Sequence, residues 1–198
     1  MSIQTRRGAC ALTVVLLVSS AARRSEEEHD PHARAQLADQ ASADAAACLA
    51  QAPQSAACLY AHALALGLNA REHPASAGTI LRDMLESLMR ADEADPNYDS
   101  AGPQRVRALV LLRAPAWPLG PGDPQEALVA AQRAVARRGD YPPNLLALAQ
   151  AQAVTADYKA AQATYARARD AAAALPPSAE RDGWISEATK GLQNAQSK

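Results

Sequence analysis

From about residue 35 onward, apolar side chains return every three or four positions, the period of a helix with one buried face. The spacing predicts helices over approximately 35–51, 55–68, 73–92, 102–112, 124–138, 143–155, 158–174 and 179–195. Between them stand Pro53, Pro74, Asp95-Pro96-Asn97, Gly120 to Asp123, Gly139-Asp140, Pro142-Pro143 and Pro176-Pro177, each a place where a helix stops or starts afresh. Eight helices joined in this way make four hairpins. A single hairpin cannot bury its apolar face alone, so a core requires that hairpins stack. The fold class that follows is all-α, built of stacked antiparallel helical hairpins over residues 35–195.

Ahead of this domain the pattern changes. Arg6 and Arg7 precede an apolar run from Ala9 to Val18, and Ser19-Ser20-Ala21-Ala22 ends it, the three parts of a secretory signal over residues 1–22. The run is about half the roughly twenty residues that a membrane span needs. Cleavage after Ala21 or Ala22 is expected, with a buried N-terminal core segment as the alternative. Cys10 opens the apolar run instead of ending it, which disfavours lipidation there. Residues 23–34, with Glu26 to Glu28, His29, Asp30 and His32, carry almost no apolar side chains and read as a mobile charged segment. A metal held by His29, Asp30 and His32 would lack fixed geometry on such a segment, and no metal site is expected. The expected location is periplasmic or secreted, and the membrane enters only if the N-terminal segment is retained.

An internal repeat is visible as a self-match. Adding thirty-four to Ala127, Ala131 and Ala134 gives Ala161, Tyr165 and Ala168, and adding it to Asp123 gives Asp157. Thirty-four is the tetratricopeptide period, and the chain resembles that family. Its second helix needs a small residue at the crossing, a ring or aliphatic one turn on, and a second small residue; Ala161, Tyr165 and Ala168 suit those places. The turn Asp157-Tyr158-Lys159 resembles the family's Gly-Asp-Tyr-Glu, with Ala156 in the glycine place. Leu145, Leu148 and Ala149 match the first helix by size, and Ala91 with Pro96 gives a degenerate third copy. The first pair of helices, 35–68, has no register.

The connection Arg113-Ala114-Pro115-Ala116-Trp117-Pro118-Leu119-Gly120-Pro121-Gly122-Asp123 is longer than a standard repeat allows. It predicts a compact loop pinned by Trp117, which either plugs the core edge or contacts a ligand. Together with Glu93-Ala94-Asp95-Pro96-Asn97-Tyr98, Ala101-Gly102-Pro103-Gln104-Arg105-Val106 and Asp140-Tyr141-Pro142-Pro143-Asn144, this loop resembles the T component associated with TRAP transporters, over about Cys48 to Leu192. That resemblance implies a periplasmic accessory to a solute-binding subunit, in the uptake of a small organic acid, with oligomers allowed.

Composition narrows the function classes. Hydrophobic residues make up 48%, aromatics 4%, and phenylalanine is absent, so the core is made of small and branched aliphatic side chains. A formal charge of −1 implies no basic surface for nucleic acid. No phosphate loop, nucleophile elbow, His-Glu-x-x-His or Cys-x-x-Cys occurs, so no enzyme and no cofactor are expected. Cys48 and Cys58 are an even pair across Pro53, read as a disulfide or as two buried thiols. The function expected is the binding of a protein partner in a groove formed by first helices. Arg105, Asn144 and Gln150, with Tyr98, Tyr141 and Trp117 near the loops, are its candidate residues, each also readable as a cap or packing residue.

Overall fold

The computed structural model describes the backbone of residues 3–198 and the side chains from Thr13 onward. Among the described residues there are nine α-helices: α1 Ile3–Glu27, α2 Pro31–Gln51, α3 Ala56–Glu72, α4 Ala77–Ala94, α5 Gly102–Arg113, α6 Pro124–Arg137, α7 Pro142–Val154, α8 Tyr158–Ala173 and α9 Ala179–Gln196. Eight follow the predicted segments closely; α1 is the addition. The side chains of Arg6, Arg7 and Cys10, on which some of the export reading rests, lie outside the described ones.

The chain divides into two compact units, residues 1–98 with 114–121 and residues 99–113 with 122–198. In the first, α1 contacts α2 and α3, α2 contacts α3, and α3 contacts α4. In the second, α5 contacts α6 and α7, α6 contacts α7, and α7 contacts α8 and α9. Within each unit, then, a helix meets its successor, and odd-numbered helices also meet one another, as stacked hairpins do. The pairs are α1/α2, α3/α4, α5/α6 and α7/α8, with α9 against the last. Because α1 adds a helix at the front, the expected first pair, 35–68, is split: α2 closes a hairpin with α1, and α3 opens the next.

The charged stretch 23–34 also takes a definite form. Helix α1 runs on to Glu27, and α2 begins at Pro31 behind Asp30, whose side chain accepts from the His32 N–H at 3.1 Å. Proline at the first helical position and aspartate before it are the usual start of a helix. His29 Nδ1 is 2.9 Å from the Glu27 carbonyl, and His32 Nε2 is 3.1 Å from Gln36 Nε2, so the two rings are engaged locally.

Alanine makes the crossings. Ala127, Ala131 and Ala134 on α6, and Ala161 and Ala168 on α8, are at most 1% exposed, and Tyr165 is 6% exposed. The self-matched positions are therefore buried ones. Asp123 and Asp157, also thirty-four apart, both cap their helices: Asp123 accepts from the Gln125 and Glu126 N–H groups, and Asp157 from that of Ala160. Leu145, Leu148 and Ala149 on α7 are buried too.

The C-terminus of α7 shows what the glycine place of the repeat requires. Asp157 N–H donates to the Gln152 carbonyl at 2.9 Å and Ala156 N–H to that of Ala153 at 3.2 Å, the paired bonds of a Schellman end. That geometry puts Ala156 at φ 64°, a left-handed conformation that a Cβ resists. In unit 1, Cys48 at the end of α2 and Cys58 at the start of α3 are bonded as a disulfide inside the core. Closing a loop this short stabilises a fold by roughly 2–3 kcal/mol in the chain-entropy account.

Unit 1 also holds a partly buried polar pair, the half-buried His62 Nδ1 on α3 and the buried Ser87 Oγ on α4, 2.9 Å apart. Burial and then the Arg90 charge push the His62 imidazole below the ordinary value, against a smaller opposing effect of Asp83.

Ala156→Gly should raise stability by about 1 kcal/mol, since glycine adopts the left-handed conformation without the Cβ penalty; paired urea titrations measure this, and no gain would mean that the turn is not under strain. For His62, the unfolded chain takes up a proton below about pH 6.5 while the folded imidazole resists it. Stability should therefore fall as pH drops below that point and level off once the folded ring is protonated, and His62→Gln should remove that component of the fall in urea titrations between pH 7 and pH 4.

Candidate functional site

Unit 2 opens with an unusual turn. Asp99, Ser100 and Ala101 have φ of 47°, 55° and 65°, three successive non-glycine residues in the left-handed region. Such residues cost of order 1 kcal/mol each and persist only where their surroundings fix them. The fixing groups are Arg105 and Asn144. Arg105 Nη1 donates to the Asp99 carbonyl at 3.1 Å and the Ser100 carbonyl at 3.4 Å, and Nη2 to Asp99 Oδ2 at 2.6 Å. Asn144 is fully buried; its Nδ2 donates to the Ser100 carbonyl at 2.9 Å and the Arg138 carbonyl at 3.0 Å, while its Oδ1 accepts from Arg105 Nη1 at 3.0 Å. One amide thereby satisfies a carbonyl at the end of α6, a strained carbonyl at the start of α5, and a buried guanidinium.

Tyr141 completes the cluster. Arg105 stands 5.2 Å from the centre of its ring, and the ring meets Trp184 of α9 edge-on at 5.9 Å. Burial raises the phenol pKa, only partly opposed by the Arg105 charge. Arg105, Tyr141 and Asn144, proposed from sequence as binding residues, are thus brought together, and Asn144 acts as an interior bracket. Its amide has no face toward solvent.

Beside this cluster runs a cleft on α5, α7 and α9, the helices of unit 2 that meet across hairpins. Its narrow section, about 140 Å³, is lined by Arg105, Leu109 and Arg113 of α5, by Pro143, Leu146, Ala147 and Gln150 of α7, and by Trp184 and Glu187 of α9. A wider section, about 400 Å³, shares Arg113 and Gln150 and continues over Leu112, Ala153, Val154, Tyr158, Tyr165, Asn194 and Lys198. Gln150 sits where the two sections meet, and its Nε2 donates to Glu187 Oε1 at 2.6 Å. An apolar floor with amide, guanidinium and carboxylate groups along its length suits an extended peptide, which needs donors and acceptors for its backbone and room for alternate side chains. Sequence reasoning found Gln150 and Arg105 but missed Arg113, Trp184 and Glu187. Helical period marked the apolar face of α9, and nothing in it showed which rim faces α7.

Two candidates belong to unit 1. Tyr98 meets Tyr60 edge-on, with centroids 5.4 Å apart. Trp117, which the sequence predicts to pin its loop, is instead 85% exposed, next to Leu119 at 77%. Backbone contacts seat the loop. A Cβ on Gly78 would lie 2.4 Å from the Leu119 carbonyl oxygen, and one on Gly120 would lie 2.7 Å from that of Pro115. Gly78 lets the loop lie on α4 and Gly120 lets it fold back on Pro115, a turn closes from the Ala116 carbonyl to the Leu119 and Gly120 N–H groups, and the indole is left exposed. The Trp117–Pro118 peptide bond is cis.

Asn144→Ala should cost about 2–4 kcal/mol, because it strips acceptor and donors from a buried cation and two carbonyls at once. Thermal unfolding of the purified variant measures it; a loss under about 0.5 kcal/mol would show that water replaces the amide and that the bracket is not needed.

No protein-family model and no curated protein matches the chain. Among solved structures, a thermophilic TPR protein of Thermus thermophilus is similar, with a TM-score of 0.63 at 19% identity, covering 94% of this chain and 99% of that one. The likeness is one of fold: this chain is an all-α helical repeat with tetratricopeptide-like architecture.

Proposed function

We propose that this protein is an exported scaffold that holds a segment of a partner protein in the cleft of α5, α7 and α9. The observation that carries the reading is the cleft itself: an apolar floor with Gln150 at its midpoint and Arg113 and Glu187 on its rims, on the helices that a hairpin stack aligns. A tetratricopeptide-like fold generally mediates protein–protein interaction and is typically a non-enzymatic scaffold. The Arg6-Arg7 start and the apolar run that follows support export to the periplasm or beyond.

The finer reading names the partner as the solute-binding subunit of a TRAP-type uptake system. Its support is the resemblance carried by the 93–98 turn, the 101–106 helix start, the 113–123 loop and the 140–144 turn. A gene beside those of a solute-binding protein and a membrane permease supports this reading, whereas a gene standing apart from them favours a scaffold outside transport.

The scaffold reading is tested by affinity capture from periplasmic extract, comparing the wild-type chain with Gln150→Arg and Arg113→Glu. A defined partner should co-purify with the wild type and fall at least about tenfold with either variant, the loss of one well-placed polar contact being worth about 1.4 kcal/mol or more. Equal recovery by all three would remove the cleft from the interaction. A captured partner that is not a solute-binding subunit would keep the scaffold and remove the transport role.

A further inference from the structure

From Val14 onward the segment read as an export signal has two different faces in the fold. Val14, Val18, Ala21 and Ser25, spaced by four, three and four residues, are buried at 8%, 0%, 9% and 1% exposure. On the other side Leu16 is 70% and Leu17 50% exposed. The buried stripe lies on small residues, Ala38, Ala41 and Ala45 of α2 and Ala61 and Ala65 of α3, in one cluster with the Cys48–Cys58 disulfide. A polar lock holds its end: Arg71 of α3 donates through Nη2 to the Ser25 carbonyl at 3.1 Å and to the Ser25 hydroxyl. Glu72, beside it on α3, is paired with Arg71 at 2.9 Å and with Arg34 of α2 at 3.1 Å, which joins α1, α2 and α3.

A disposable leader needs only an apolar run of sufficient length, and nothing in that role distinguishes Leu16 from Val18. Here the β-branched and small side chains face the protein and the bulky leucines face away, as they do in a helix fitted to a particular surface. Cleavage after Ala21 or Ala22 would carry off the Val14, Val18 and Ala21 contacts and bare a stripe of alanines with nothing over it.

We infer that residues 13–27 are a permanent element of unit 1, the first helix of the α1/α2 hairpin, and that the mature protein keeps them after serving as the export signal. The segment has a double duty: its apolarity is read during export, and its shape complementarity completes the fold afterwards. This inference rests on the export reading proposed above and is independent of the cleft and of the identity of its partner.

The test uses the full chain expressed in an exporting host. Peptide mapping of the recovered protein should find the tryptic peptide Gly8–Arg23, which a chain cut after Ala21 or Ala22 cannot yield. Val18→Ala and Leu16→Ala both keep the run apolar, which is what an export signal requires, so their purified products can be compared directly. Val18→Ala should lower the thermal midpoint by about 5 °C or more, and Leu16→Ala by less than about 2 °C. A mature chain beginning at Ala22 or Arg23, or equal midpoints for the two variants, would overturn the inference.

Discussion

Close approach of helices at alanine is the constraint on which the rest of this protein depends. With no phenylalanine and 4% aromatic residues, the core cannot be filled by large side chains reaching across wide gaps. The helices must come together until backbone nearly meets backbone, and alanines at the crossings permit this: Ala45 and Ala61 in unit 1, and Ala127, Ala131, Ala134, Ala149 and Ala161 in unit 2, are all inaccessible to solvent. Each alanine removes little apolar area from water, so stability rests on the density of the contacts along the full length of each helix. A bulkier residue at one such crossing would push a pair of helices apart and loosen every contact between them.

Tight crossings leave little slack at the connections, and the polar chemistry is concentrated there. Asp30, Asp123, Asp157 and Ser178 cap α2, α6, α8 and α9 with side-chain oxygens. Where a cap does not suffice, the chain accepts strain: Ala156 is left-handed at the end of α7, and Asp99, Ser100 and Ala101 are left-handed before α5. The second of these is the costlier, and it is met by two buried polar side chains with their hydrogen bonds made. Arg105 and Asn144 therefore belong to the framework beside the cleft, where Gln150 stands at the junction of the two sections and Arg113 and Glu187 line it.

The 113–123 connection follows the same rule of backbone contact before side-chain contact. Gly78 lets the Leu119 carbonyl lie against α4, Gly120 lets the loop turn back on Pro115, and Trp117 stands at the surface. Large aromatics such as tryptophan are enriched where protein surfaces meet other proteins.

The sequence by itself determined eight of the helices, their breaks, the thirty-four-residue repeat and the burial of its alanines, because helical period, caps and proline stops are local and a stacked hairpin contacts mainly its neighbours in the chain. It left Cys48 and Cys58 as an even pair, a disulfide or two buried thiols, and the fold joins them as a disulfide. Tertiary structure alone decided the rest. The pairing of α2 with α1, the outward turn of Trp117, the bracket formed by Asn144 and the meeting of Gln150 with Glu187 all join residues distant in sequence or depend on which face a neighbour covers. A local pattern of apolar and polar positions states that a face is buried; it carries no record of what lies on the other side.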